Sequence, residues 1–233
     1  MSELHESEHH RRVADGAFRA SVFGFSDGLI TNVSLILGFV GANPGHNVVR
    51  LVGLAGLVAG AFSMGSGEYL SVRAQKELVD FEVSVERAAL KADPEGERFE
   101  LRQIFLDRGI DSDIAERLSI DLMRDPELAL STHVREELGI DPSASGRPLV
   151  VAGSSFAAFA AGALVPLLPW IFTSAGNPAW WSIGFAIVGS LTAGGLVGRF
   201  TGQGVTKWAL RQLMIAVLAS GVTWIVGRLV GGN

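Results

Sequence analysis

Read for polar and apolar positions in order, the chain alternates between two regimes. Apolar runs occupy residues 20–42, 51–69, 149–172, 180–197 and 209–230. Each is near the ~20 residues that a helix needs to cross a hydrocarbon layer about 30 Å thick, so five transmembrane helices are predicted. No Asp, Glu, Lys, Arg or His occurs from Pro148 to Gly198, a run that breaks only at "TSAGNP". Gly, Asn and Pro supply turn chemistry there, and Trp170, Trp180 and Trp181 flank the break as interfacial aromatics do, so helices three and four should form a tight pair.

Between helices two and three the pattern reverses. Residues 73–147 hold 11 of the 19 Lys and Arg and 18 of the 24 Asp and Glu. One soluble core would give every element a polar face, so this segregation predicts an all-α membrane protein with a water-exposed helical insert. The expected divisions are an N-terminal segment over 1–19, helices one and two within 20–72, the insert over 73–147 and helices three to five within 148–233. Asp93 and Asp125 each precede a Pro and a first-turn Glu, which marks helix starts, and Gly109 and Gly139 suit helix ends. Helices are expected near 70–91, 94–108, 112–124 and 126–138, the first continuing helix two out of the membrane. Phe99, Ile104, Phe105, Ile114, Leu118, Leu122, Leu128, Val134 and Leu138 are the expected core.

Charge sets the orientation. Arg11, Arg12, Arg19, Arg73, Lys76, Arg147, Arg199, Lys207 and Arg211 fall on one side of the five helices, against Arg50 and Arg228 on the other. The positive-inside rule therefore puts the N-terminus and the insert in the cytoplasm. A net charge of −5 does not favour nucleic acid as a partner, and a chain without cysteine has neither disulfides nor thiolate ligands. The N-terminus lacks a basic region followed at once by a short apolar core, so helix one is expected to direct its own insertion. A compact form without a targeting extension leans toward a bacterial inner membrane.

Within helix one, "VFGFSDGLITNVSLILGFVGA" carries Asp27 inside an apolar run. A carboxylate in hydrocarbon costs at least ~2.5 kcal/mol, so it faces a cavity or a partner unless interface water hydrates it. Thr31 and Ser34 share its helical face and extend a polar stripe inward. On helix two, Met64 and Glu68 lie four residues apart on one face. A Met alone is more often a packing residue than a ligand, but a thioether one turn from a carboxylate, opposite Asp27, would favour Fe²⁺ or another transition metal over Mg²⁺ and Ca²⁺. Metal and protons would compete at Asp27. In the insert, Glu82 and Glu86 share a helix face, as do Glu97 and Glu100, and such carboxylates either solvate a surface or collect divalent cations. Gly24 and Gly28, Gly56 and Gly60, and Gly194 and Gly198 form small-xxx-small pairs that allow close helix packing.

The stretches "FRASVFGFSDGLITNVSLILGFVGA", "GLVAGAFSMGSGEYLSV", "GALVPLLPW" and "GRFTGQGVTKWALRQLMI", in this order, resemble the vacuolar iron transporter family over nearly the whole chain. The resemblance implies a homodimer through helix one and a path at the dimer interface. It also implies a cytoplasmic metal-binding insert and export of Fe²⁺, with Mn²⁺ as a second candidate, in exchange for protons. The family's intramembrane Asp and Met fall on Asp27 and Met64, and its insert glutamates on Glu86, Glu97, Glu100 and Glu137. Ala89 stands where another Glu is expected, and His133 and Val134 where some members have a Met pair; His133 could ligate or be a solvated helix residue. Beyond the bound or carried ions, no cofactor is expected. The competing function is a membrane-anchored metal sensor or buffer without transport. An intramembrane enzyme lacks support, since paired catalytic carboxylates, a Ser with a nearby base and a His-rich di-metal motif are missing from the helices.

Overall fold

The computed structural model describes residues 16–43, 45–137, 139, 147–172 and 177–231. They form eight helices: α1 (Gly16–Gly41), α2 (His46–Ala92), α3 (Pro94–Asp107), α4 (Ser112–Leu122), α5 (Pro126–Glu136), α6 (Pro148–Phe172), α7 (Pro178–Thr201) and α8 (Val205–Gly231). No strand occurs among the described residues. Five helices, α1, α2, α6, α7 and α8, are long and apolar enough to cross a bilayer. Their bounds follow the expected runs to within a few residues, and α2 continues without a break through the helix expected near 70–91, as its continuation out of the membrane requires.

Two compact units result, one from the described residues of Met1–Leu70 and Pro148–Asn233, the other from those of Ser71–Arg147. In the first, α1 packs lengthwise on α6, and glycine makes this possible. A Cβ on Gly28 would lie 2.1 Å from the Phe159 carbonyl oxygen, and one on Gly162 would lie 2.0 Å from that of Phe25. The three small-xxx-small pairs are thus used inside the chain. Gly24 and Gly28 meet α6, Gly56 and Gly60 meet side chains of α1 and α6, and Gly194 and Gly198 meet the start of α8 and the turn before it. Close backbone approach replaces the hydrophobic drive that helices lack in lipid.

Pro166 and Pro169 interrupt the hydrogen-bond ladder of α6. Ser182 of α7 donates to the Pro166 carbonyl at 2.6 Å and accepts from the Trp170 indole N–H at 2.9 Å, tying the two helices together as the expected pair. Asn32, fully buried on α1, donates through Nδ2 to the Ala163 carbonyl at 2.6 Å. A buried amide in a membrane bundle is stable only with such partners.

The second unit contains the charged end of α2 and α3 to α5. Asp93 and Asp125 cap α3 and α5 as expected, accepting from the N–H of Gly96 and from those of Glu127 and Leu128, while Asp111 caps α4. Gly109 and Gly139 take positive φ, +84° and +65°, which a side chain would resist. The expected core needs correction. Phe105 and Val134 are buried and Ile104, Leu118 and Leu122 half-buried, but Phe99, Ile114 and Leu128 are exposed. Leu138 lies outside the described residues. The inward faces instead carry Leu101 and Phe105 on α3, Ala115 and Ser119 on α4, and Ala129, Leu130, His133 and Val134 on α5. Phe99 is two residues from Leu101, hence on the far side of α3, while Ile114 and Leu128 each stand beside the alanine that takes the contact.

Candidate metal centre

The insert brings five of the predicted residues together. Glu86 comes from α2, Glu97 and Glu100 from α3, and His133 from α5, while Glu137 closes α5 with its N–H donating to the His133 carbonyl at 2.8 Å. Ligand atoms of Glu86, His133 and Glu137 all lie within 4.8 Å of one another. His133 Nδ1 is 3.2 Å from Glu86 Oε1 and 3.6 Å from Glu97 Oε2.

His133 is not a solvated surface residue: its exposure is 0%. Neither of its ring nitrogens has a hydrogen-bond partner among the described residues, and Glu86 Oε1 has none either. Buried polar atoms are nearly always satisfied, so three orphans on two neighbouring side chains need an explanation. Electrostatics sharpen the point. Burial, with help from the Glu97, Glu137 and Glu100 carboxylates, raises the Glu86 pKa to about 7. Burial likewise raises Glu97 and Glu137 and lowers His133. The metal-free group therefore tends toward neutral imidazole and protonated carboxyl, the state a divalent cation would reverse by displacing protons. Glu82, one turn before Glu86, is half-buried and is not among the carboxylates acting on Glu86.

The predicted transmembrane residues are arranged differently. Asp27 is exposed on α1, and the Thr31 hydroxyl, also exposed, donates to its Oδ1 at 3.3 Å. Gly28, next in sequence, is pressed against α6, which turns the Asp27 side chain away from that helix. Met64 is half-buried and packs against the cluster that Ala61, Phe159 and Ala163 form. Both α1 at Gly28 and α2 at Gly60 contact Phe159, so Asp27 and Met64 sit on helices that meet at the same level of α6. Glu68 follows one turn beyond Met64 and is half-buried. Ser34 does not continue the open polar face. It is 7% exposed, its Oγ is 3.3 Å from Ser220 Oγ, and its carbonyl accepts from Thr223 at 2.8 Å. Helix α8 covers this half of α1, closing in where Gly38 and Gly41 admit Thr223 and Trp224.

Sequence reasoning named His133 as a candidate ligand but not its burial, and it missed Asn32. His133 lies with Leu130, Val134 and Glu137 at spacings of three and four, a helix-face signal that places it with the apolar residues of α5. Asn32 was overlooked because uncharged polar residues hardly interrupt an apolar run, yet its Oδ1 is buried without a partner and lies 3.0 Å from the position of a Cβ on Gly56.

Comparison with known proteins finds relatives over nearly the whole chain. Vacuolar iron transporter 1 of Oryza sativa subsp. japonica is 32% identical over 230 residues, covering 97% of this chain and 91% of the relative. The vacuolar iron transporter of Acanthamoeba castellanii is 36% identical over 221 residues, covering 92% and 78%. Vacuolar iron transporter 1 of Arabidopsis thaliana is 28% identical over 227 residues, covering 97% and 90%. The model of the VIT family matches residues 18–228, and the chain belongs to that family.

Proposed function

We propose that this chain exports Fe²⁺, with Mn²⁺ as a second cargo, from the cytoplasm in exchange for protons. The observation that carries the reading is His133: a fully buried imidazole with two unpartnered nitrogens beside Glu86, in a chain whose relatives are named vacuolar iron transporters. Imidazole and carboxylate together suit first-row divalent metals, whereas Mg²⁺ and Ca²⁺ prefer all-oxygen shells. In this scheme Glu86, His133 and Glu137 hold an ion, while Glu97 and Glu100 supply negative charge around it. The positive residues that flank the helices favour the insert on the cytoplasmic side.

Transfer across the membrane then uses Glu68 as the receiving group, with Asp27 and Met64 as the intramembrane ligands and Thr31 holding the Asp27 carboxylate. Asp27 releases a proton when the ion arrives and takes one when it leaves, which couples the two flows. A second copy facing the exposed side of α1, where Phe23, Asp27 and Thr31 stand, would enclose the path. The sequence favours a bacterial inner membrane and the relatives' names a vacuolar one. Both have a cytoplasmic side, and the scheme is the same in each.

The test is Fe²⁺ flux in proteoliposomes with wild type, Asp27→Asn and His133→Leu. Asp27→Asn should abolish flux and leave metal binding by the insert intact, whereas His133→Leu should raise the half-saturating Fe²⁺ concentration and keep the maximal rate. Metal binding without flux by well-folded wild-type protein would reject transport in favour of a sensor or buffer.

A further inference from the structure

The extended apolar groove formed by α1, α7 and α8 has no place in the transport scheme. Its volume is about 450 Å³, and its walls include Leu37 and Val40 of α1, Ile183 and Ile187 of α7, and Val217 and Trp224 of α8. Asn177 and Ser220 are the lining residues with an amide or hydroxyl side chain. Asn177 accepts from the Ala179 N–H at 3.2 Å, and the Ser220 hydroxyl shares a hydrogen bond with Ser34. The rest of the lining is aliphatic or aromatic, so it suits hydrocarbon.

Dimensions and charge narrow the occupant. The groove follows α7 from Ala179 to Ile187 and α8 from Leu213 to Trp224. At 1.5 Å per residue these stretches are roughly 12 and 16 Å long, near half of a hydrocarbon layer of about 30 Å, the depth of one leaflet. Trp180 and Trp224 line the groove where α7 begins and α8 approaches its end, the level at which indoles suit a membrane interface. One turn further along α8, the Arg228 guanidinium lies 5.3 Å from the Trp224 ring centroid. No Asp or Glu occurs in residues 33–42, 177–187 or 213–231, so this cation has no acidic neighbour in the segments that form the groove and its mouth. Hydrocarbon walls, one leaflet of depth and a lone cation at an aromatic mouth are complementary to a lipid with a negative headgroup.

We infer that this groove binds one acyl chain of an anionic phospholipid, whose phosphate pairs with Arg228. The carbonyls at the end of α8 also attract a cation, but that attraction predicts no lipid preference. Gly221 lines the groove, and a Cβ there would meet nothing within 4 Å, which leaves room for the chain and allows a test by filling it.

The experiment is native mass spectrometry of the purified full chain, titrated with palmitoyl-oleoyl phosphatidylglycerol in competition with the matching phosphatidylcholine. One saturable lipid per subunit is expected, with about a fivefold preference for phosphatidylglycerol, the effect of one basic residue near an anionic surface. Arg228→Gln should remove the preference and keep the lipid. Gly221→Leu should remove the saturable lipid without changing thermal unfolding, and Val217→Trp fills the same groove from an exposed position should the first variant misfold. Equal binding of the two lipids by wild type, a preference that survives Arg228→Gln, or lipid retained by both filled variants would overturn the inference. Since the chain has no cysteine, Val217→Cys also reports on the rival occupant. A disulfide between two copies in liposomes would mean that a second subunit fills the groove, and would overturn it as well.

Discussion

Replacing Glu86 with Gln should make the metal-free insert more stable and worse at binding metal, with the stability gain growing as pH rises. Glutamine keeps the shape of a protonated glutamate but cannot ionise. In the folded insert the Glu86 pKa is about 7, against an ordinary value of 4.5, chiefly through burial and then through the neighbouring carboxylates. A raised carboxyl pKa means that the folded state holds its proton longer than the unfolded state. Its contribution is therefore fully present below pH 4.5, is lost as pH climbs to about 7, and is constant above that. At 1.36 kcal/mol per unit the full loss is about 3 kcal/mol. Glu86→Gln should recover about that much at pH 8 and almost nothing at pH 4. Hydrogen exchange of the α3–α5 amides in chelator-treated full-length protein, corrected for intrinsic exchange, reads this local stability. Metal affinity should fall at least about tenfold, since even groups that only support a ligand are worth that much. Equal effects on stability at pH 4 and 8, or unchanged affinity for Fe²⁺, would refute the assignment of Glu86 as a buried ligand held ready for a cation.

Other predictions follow from the same contacts. His133→Leu removes two unpartnered buried nitrogens, so the metal-free insert should be at least as stable as wild type by hydrogen exchange, while Fe²⁺ affinity drops at least about tenfold by equilibrium dialysis. Gly28→Ala should force α1 off α6 and cost about 1–3 kcal/mol or prevent a monodisperse preparation, while Gly67→Ala, whose Cβ meets nothing within 4 Å, should behave as wild type in thermal unfolding. Asp93→Ala removes the cap on the Gly96 N–H and should destabilise α3 by about 1 kcal/mol, read as faster exchange in its first turn.

Much of this architecture is legible in the sequence because each signal has one physical cause. Apolar runs of spanning length locate the five long helices, and the Asp-Pro starts with their following Glu locate α3 and α5. Packing inside the insert was less legible, since periodicity marks an apolar face but not how closely two helices approach. Ala115 and Ala129 are buried while their bulkier neighbours Ile114 and Leu128 are exposed. The spacing of Glu86, Glu97, Glu100 and Glu137 shows shared helix faces and not convergence, which depends on how α2, α3 and α5 cross. Ser34 illustrates the limit in the membrane. Its helical angle matches that of Asp27, yet α8 covers one and leaves the other open.

The most direct test of the central claim records Fe²⁺ and internal pH together in proteoliposomes under an imposed proton gradient. Proton movement should begin only when Fe²⁺ is added and run opposite to it, reverse when the gradients are exchanged, and vanish with Asp27→Asn. Fe²⁺ flux that continues unchanged after the proton gradient is collapsed, or that persists in Asp27→Asn, would contradict proton-coupled export through Asp27.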